Sequence, residues 1–144
     1  MFNFNFYNPT RIYFGKDRLE SINENVPVDA KVLITYGGGS AKRSGLIDKV
    51  KSILGSREIF EFSGIEPNPK YETLMKAVEV VKAENIDYIL AVGGGSTIDG
   101  TKFISLASNY EGDATELLMK GFSGVTSEMV KKVIPFGSVL TLPA

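Results

Sequence analysis

The chain has 144 residues, a formal net charge of −1, and 43% hydrophobic and 23% charged residues. This composition predicts one domain with a solid core. Because cysteine and histidine are both absent, the sequence excludes disulfides, iron–sulfur clusters, thiolate metal sites and hydrolases that use a histidine base. Only an ion held by carboxylates suits the side chains present.

Charge and hydropathy also argue against two classes of partner. The near-neutral net charge gives no electrostatic basis for binding nucleic acid or an anionic membrane. No basic leader opens the chain, and no apolar run approaches the ~20 residues of a membrane helix. We therefore expect a cytoplasmic protein that contacts neither nucleic acid nor membrane.

The N-terminus shows the alternation of a half-buried strand. Phe2, Phe4 and Phe6 alternate with asparagines, Asn8-Pro9 is a turn signal, and residues 11–15 form a second apolar run. This pattern predicts a β-hairpin whose aromatic side chains pack on a sheet, and we prefer that to a base-stacking surface. Such an edge could also pair with a second subunit.

Strand and helix patterns then alternate along the chain. Short β-branched or apolar runs alternate with segments whose apolar residues recur every three or four positions, and residues 132–144 are predicted to form one or two more strands. The predicted order is strand 31–36, helix 41–54, strand 58–62, helix 71–81, strand 87–92 and helix 98–108. Strand–helix–strand units of this length predict an α/β, Rossmann-like fold with a mostly parallel sheet and helices on both faces.

A glycine-rich turn follows the third strand of this series. The stretch "GGGS" covers residues 93–96, directly before a helix. Backbone N–H groups at a helix N-terminus bind phosphate where no Cβ blocks the approach, so a pyrophosphate cradle is one interpretation. In that interpretation Ser96 is the N-cap. Two alternatives remain open: Ser96 and Asp99 form only a capping box, and Gly100 only allows close packing. Ile98 also occupies the place of the last glycine in G-x-G-x-x-G.

An almost identical turn, "GGGS" at residues 37–40, follows the first strand of the series. In a dinucleotide fold an acid at such a place binds the ribose hydroxyls and repels a 2′-phosphate. The turn carries no acid but has Ser40, Lys42 and Arg43, which favours NADP over NAD. The alternative is that Lys42 and Arg43 are ordinary solvated helix residues.

Four segments together resemble the iron-containing (group III) alcohol dehydrogenases, and within them the butanol dehydrogenase and NADPH-dependent aldehyde reductase branch. They are "FGK" (14–16), "IEPNP" (65–69), "GGGSTIDGTKFI" (93–104) and "TLPA" (141–144). The resemblance implies a dehydroquinate synthase-like N-terminal domain over residues 1–144. It also implies a following helical domain, absent here, in which an aspartate and three histidines hold iron or zinc. We expect the chain to be a fragment that is inactive alone, from an enzyme that dimerises through its N-terminal region.

The resemblance also implies roles for individual residues. Gly94, Gly95 and Ser96 would hold the pyrophosphate, and Asn68 would contact the adenosine side. The other implied cofactor contacts are Gly37, Gly38, Gly39, Ser40, Thr141 and Leu142. NAD-preferring relatives often carry aspartate at the position of Gly37, which supports NADP.

Asp99 and Lys102 match family positions near the nicotinamide and substrate. The implied reaction is reversible hydride transfer between NADPH and a small aldehyde or primary alcohol. Two other functions remain open: a polyol dehydrogenase or dehydroquinate synthase-like domain, and a non-catalytic nucleotide-binding module.

Overall fold

The computed structural model describes residues 5–119 and 133–142, together with Asn3 and Glu128. After a 3₁₀ turn at Arg18–Glu20, helices and strands alternate. The helices are α1 (Ser21–Asn25), α2 (Ser40–Arg43), α3 (Leu46–Leu54), α4 (Tyr71–Glu84), α5 (Gly95–Ala107) and α6 (Thr115–Met119). The strands are β1 (Lys31–Tyr36), β2 (Glu58–Phe62), β3 (Tyr88–Gly93) and β4 (Phe136–Leu140).

The four strands form one parallel sheet in the order β2-β1-β3-β4. The two central strands, β1 and β3, are buried over all but their first residue, as expected when helices cover both faces of a sheet. Their pairing aligns Thr35 with Ala91 and Tyr36 with Val92. These carboxyl ends therefore lie at one edge of the sheet, and the predicted parallel α/β fold is confirmed.

Each face of the sheet has its own apolar core. Val32 and Ile34 of β1 pack with Ile47, Val50 and Leu54 of α3 on one face. On the other face the intervening Leu33 packs with residues of α4 and α5: Leu74, Ala77, Val78, Val81, Ile104 and Ala107. Complete burial of a side chain of this size stabilises a fold by about 1.5–3 kcal/mol. Alternation along one strand thus holds the helices on both faces, as predicted.

The helix predicted over residues 41–54 is divided in two. Ser44 ends α2, and Gly45 then adopts a left-handed conformation with φ 77° before α3 begins at Leu46. The apolar stripe contained no signal for this break except the Ser-Gly pair itself. The helix predicted from Ile98 begins earlier, at Gly95.

The predicted N-terminal hairpin is wrong for the residues that the structure describes. Residues 5–15 contain no strand, and Phe6 and Phe14 are 80% and 96% exposed; Phe2 and Phe4 lie outside the described residues. A two-stranded hairpin is marginal without a further strand or helix to pack on, and the alternating aromatic pattern does not supply one. In this segment the Tyr13 hydroxyl donates to Asn25 Oδ1 (3.0 Å), and the Arg18 guanidinium carbon lies 5.7 Å from the centre of the Tyr13 ring.

Among the described residues, no helix combines the length and apolar character needed to span a lipid bilayer.

Candidate functional site

Main-chain hydrogen bonds bring the predicted cofactor residues to the carboxyl edge of the sheet. The Thr141 N–H donates to Gly93 O (3.0 Å), which places the end of β4 beside the second glycine turn. The Asn68 N–H donates to Ser96 Oγ (3.4 Å), which joins the Pro-Asn-Pro segment to the same turn. At the first turn, the Gly64 N–H donates to Gly37 O (3.1 Å). Both glycine turns thus border the segment that follows β2.

The second glycine turn leads directly into α5. Gly94 is the N-cap, and the first intrahelical bond runs from the Ile98 N–H to Gly94 O (3.2 Å). The N–H groups of the first turn of a helix have no intrahelical acceptor, and the macrodipole makes this end positive. No side chain caps α5 among the described residues. These N–H groups, at residues 95–97, are therefore suited to an anionic ligand.

The glycines of this turn differ in whether the fold requires them. At Gly93 a Cβ would lie 2.5 Å from Thr97 Oγ1, so any side chain there would force Thr97 to shift. At Gly95 a Cβ would meet no described heavy atom within 4 Å, and at Gly94 it would meet only Leu142 Cβ at 4.0 Å. Neither residue has a positive φ. Since neither packing nor backbone conformation requires glycine at these two positions, the open space in front of them suits a ligand that approaches the backbone.

Buried threonines fix the position of α5 on the sheet. Thr101 Oγ1 donates to Thr97 O (2.8 Å) and lies 2.7 Å from Thr35 Oγ1 on β1. Thr35 and Thr101 are fully buried, so each hydroxyl needs such a partner. The network holds the N-terminus of α5 at the carboxyl end of β1.

Of the two alternative explanations for this segment, the structure contradicts the capping box at Ser96 and Asp99 and supports close packing at Gly100. Ser96 is a helical residue and not the N-cap, and the Asp99 carboxylate accepts from Lys102 Nζ (3.2 Å), so the capping box and the predicted N-cap are both wrong. Close packing does explain Gly100, because a Cβ there would lie 2.9 Å from Leu74 Cδ2 of α4. Asp99 and Lys102 are mostly exposed, and an exposed pair contributes little to stability. Their chemical roles stay predictions.

The first glycine turn carries two cations. Gly39 has φ 96° and precedes α2 as its N-cap. Arg43 Nη1 donates to Gly38 O (3.4 Å), and Lys42 Nζ lies 3.8 Å from Glu61 Oε2. Arg43 is therefore associated with the turn itself, and Lys42 with the end of the neighbouring strand β2.

Glu61 is a site residue that the sequence reasoning missed. Its carboxylate accepts from the Tyr36 hydroxyl (2.7 Å) and pairs with Lys51 of α3 as well as with Lys42. The hydrogen bond from Lys51 is the main cause that lowers the pKa of Glu61 below 4.5, while burial, and then the bond to Glu61, raises the pKa of Tyr36 above 10.0. One signal was available: Glu61 shares a strand face with Ile59 in "EIFEF", so alternation places a carboxylate on a helix-covered face, where it needs cationic partners.

We expect Glu61→Gln to reduce the acid sensitivity of folding. A carboxyl with a lowered pKa in the folded state stabilises the fold fully above its unfolded pKa, and this contribution disappears as the pH falls through the folded value. The free energy of unfolding, measured by urea denaturation at about pH 5 and about pH 3, should fall more for wild type than for the variant. Equal losses in both proteins would contradict the prediction, since all other carboxyl groups are shared.

Comparison with known proteins places this geometry in a family. The family model described as iron-containing alcohol dehydrogenase matches residues 9–144. The chain belongs to the iron-containing alcohol dehydrogenase family. The resemblance inferred from the four sequence segments is thereby confirmed.

Individual relatives of the family cover the whole chain. It is 51% identical over 146 residues to the NADPH-dependent aldehyde reductase YqhD of Escherichia coli, and 44% identical over 147 residues to the probable NADH-dependent butanol dehydrogenase 1 of Bacillus subtilis. In both cases 100% of this chain is covered but only 36% of the relative. The chain therefore spans about a third of the length of the curated relatives that it matches.

Solved structures of the family show the same fold. The substrate- and cofactor-free form of the E. coli aldehyde reductase YqhD superposes with a TM-score of 0.90 at 50% identity, over 98% of this chain and 36% of that one. The NADH-dependent butanol dehydrogenase A of Thermotoga maritima superposes with a TM-score of 0.84 at 39% identity, over 99% of this chain and 35% of that one. The parallel sheet and its helices are thus those of an iron-containing alcohol dehydrogenase.

Proposed function

We propose that residues 1–144 form the nucleotide-binding domain of an NAD(P)-linked alcohol dehydrogenase or aldehyde reductase. The observation that carries the proposal is the turn before α5. Gly94 and Gly95 leave the backbone N–H groups of this helix N-terminus open, although the packing of the fold does not require glycine at either position. A dinucleotide pyrophosphate carries the charge and size that such a helix N-terminus binds. The complete enzyme would transfer hydride between the nicotinamide and a small aldehyde or primary alcohol.

In our proposal, different residues around this turn bind different parts of the cofactor. Gly94, Gly95 and Ser96 bind the pyrophosphate. Asn68, whose N–H donates to Ser96 Oγ at 3.4 Å, contacts the adenosine side. Thr141 and Leu142 contact the cofactor from the end of β4, beside Gly93 and Gly94. Asp99 and Lys102, on the exposed side of α5, lie towards the nicotinamide and substrate.

The adenosine ribose would lie at the first turn, formed by Gly37, Gly38, Gly39 and Ser40. Lys42 and Arg43 lie on α2 beside it, and cations at this place favour a 2′-phosphate. The names of relatives divide between NADPH and NADH, so charge is the argument that favours NADP here.

The family name implies a metal, which would act as a Lewis acid on the substrate oxygen. The described residues contain no group of three or more acidic, histidine or cysteine side chains that could hold an ion. They therefore do not fit a metal site, and we assign the iron or zinc ligands of the complete enzyme to a C-terminal domain outside this chain. The part played by this chain is to bind and orient the cofactor.

We further propose that the complete enzyme is a cytoplasmic homodimer. Phe6, Tyr7, Ile12 and Phe14 expose between 80% and 96% of their area, and a segment this apolar is suited to a protein interface. The absence of cysteine agrees with a reducing compartment.

Calorimetric titration of the 144-residue chain with NADPH and with NADH tests the proposal. We expect weak binding of both, tighter binding of NADPH because Lys42 and Arg43 attract the extra phosphate, and no aldehyde reduction by the chain alone. Absence of binding by either cofactor would refute the nucleotide-binding role. Tighter binding of NADH would refute only the NADP preference.

A further inference from the structure

The carboxylate of Glu61 is shared by three elements at the first glycine turn. The Tyr36 hydroxyl at the end of β1 donates to Oε2 (2.7 Å), Lys42 of α2 lies 3.8 Å from the same oxygen, and Lys51 of α3 pairs with Oε1. Register places Glu61 opposite Ile34, on the sheet face that α3 covers. Tyr36 directly precedes Gly37, so the carboxylate lies next to the turn that would receive the adenosine ribose.

The two lysines differ in how firmly Glu61 holds them. Lys51 makes a direct hydrogen-bonded ion pair and exposes 35% of its side chain, whereas Lys42 is at 3.8 Å and exposes 61%. A loosely held, exposed lysine can turn towards an incoming anion, and its present partner then competes with that anion. The negative charge of Glu61 would also repel the 2′-phosphate of a ribose bound at the turn.

We propose that Glu61 is a specificity residue for the cofactor, which restrains Lys42 and thereby limits the preference of the chain for a 2′-phosphorylated adenosine ribose. The inference rests on the proposed function, because it requires the ribose to bind at the first turn. Glu61 acts through Lys42 and through its own charge, so it is a positioning residue that does not contact the reacting atoms. NADH lacks the 2′-phosphate and is affected much less.

The test compares Glu61→Gln with Glu58→Gln. Both variants remove one carboxylate from β2, but Glu58 lies at the amino end of the strand, where it pairs with Lys31 (3.6 Å). Calorimetry at low salt should show that the ratio of NADPH to NADH affinity rises roughly three- to tenfold in Glu61→Gln, as removal of one nearby charge permits. The ratio should stay at the wild-type value in Glu58→Gln.

Salt dependence separates this electrostatic role from a purely structural one. The gain in Glu61→Gln should shrink at about 0.5 M salt, where charges are screened over a few ångströms. Lys42→Met should lower the ratio of NADPH to NADH affinity. The double variant Lys42→Met/Glu61→Gln should recover little of that lost preference. An unchanged or lowered ratio in Glu61→Gln would overturn the inference, as would an equal rise in Glu58→Gln.

Two further results, loss of all cofactor binding in wild type and failure of Glu61→Gln to fold, are interpreted differently. If the wild-type chain binds neither cofactor, the proposed function fails and not merely the role of Glu61. If Glu61→Gln does not fold, the double variant Glu61→Gln/Lys51→Met replaces it, because that variant removes both charges of the tight pair. A wild-type ratio in that double variant would equally overturn the inference.

Discussion

Replacement of Gly95 by alanine is expected to weaken NADPH binding by about tenfold or more, which corresponds to at least about 1.4 kcal/mol. The new methyl group would occupy the open space in front of the first helical N–H groups, where the pyrophosphate must approach the backbone. The fold should not suffer, because that methyl group meets no described heavy atom within 4 Å. Alanine also has the higher helix propensity, by up to about 1 kcal/mol, so the thermal midpoint should hold or rise.

Gly93→Ala is the matched control for this variant. The two glycines are two residues apart in one turn, but a Cβ at Gly93 would lie 2.5 Å from Thr97 Oγ1 and 2.9 Å from Thr97 Cβ. We expect this variant to lose about 1–3 kcal/mol of folding free energy, as overpacked sites do. Thermal unfolding and NADPH titration of both variants separate the two effects. If Gly95→Ala binds NADPH as tightly as wild type, the pyrophosphate does not bind at this turn.

The parallel sheet could be predicted from sequence because its signals are local. The runs "KVLITY" and "YILAV" are mostly apolar, and a glycine directly follows each, so the strand and the turn after it are visible together. The edge at which Asn68, Ser96 and Thr141 meet then follows from parallel connectivity. Physical rules of this kind placed the glycine turns correctly although the helix after each began at a different residue from the one expected.

The failed predictions depend on contacts that local patterns do not specify. A hairpin over residues 2–15 needs a neighbouring element to cover its aromatic face, and the described part of that segment has none. The Ser96–Asp99 pattern suits a capping box, but the helix starts two residues too early for it, at Gly95, and Asp99 pairs with Lys102 instead. The position of Glu61 beside Lys42 arises from two segments 19 residues apart whose contact only the folded sheet creates.

The contacts of Arg57 are even harder to predict from sequence, because Arg57 belongs to no motif. Its side chain is 8% exposed, and its guanidinium makes five hydrogen bonds, all to neutral acceptors. The acceptors are Asn23 Oδ1 and the carbonyl oxygens of Asn23, Val26, Pro27 and Leu54. They lie at the C-terminal ends of α1 and α3, where carbonyl groups lack intrahelical partners and the dipole is negative. One cation, at the residue directly before β2, therefore joins the ends of two helices.

We expect Arg57→Met to lose about 3–5 kcal/mol of folding free energy, because it leaves several buried carbonyl groups without a donor. That is a large part of the 5–15 kcal/mol by which domains of this size are stable. Arg57→Lys keeps the charge but has only three donors in a different geometry, so it should recover part of the loss. Arg43→Met, at an exposed arginine, should change stability by less than about 0.5 kcal/mol.

Urea denaturation of the three variants measures these differences. If Arg57→Met unfolds the chain outright, Arg57→Lys still provides the comparison, since its stability must fall between that of wild type and the unfolded variant. A wild-type free energy of unfolding for Arg57→Met would show that water satisfies the carbonyl groups of α1 and α3 equally well. The five acceptors of the Arg57 guanidinium all lie outside the two glycine turns, so folded Arg57→Lys should bind NADPH as wild type does. Stability and cofactor binding are in this way assigned to different residues of the same domain.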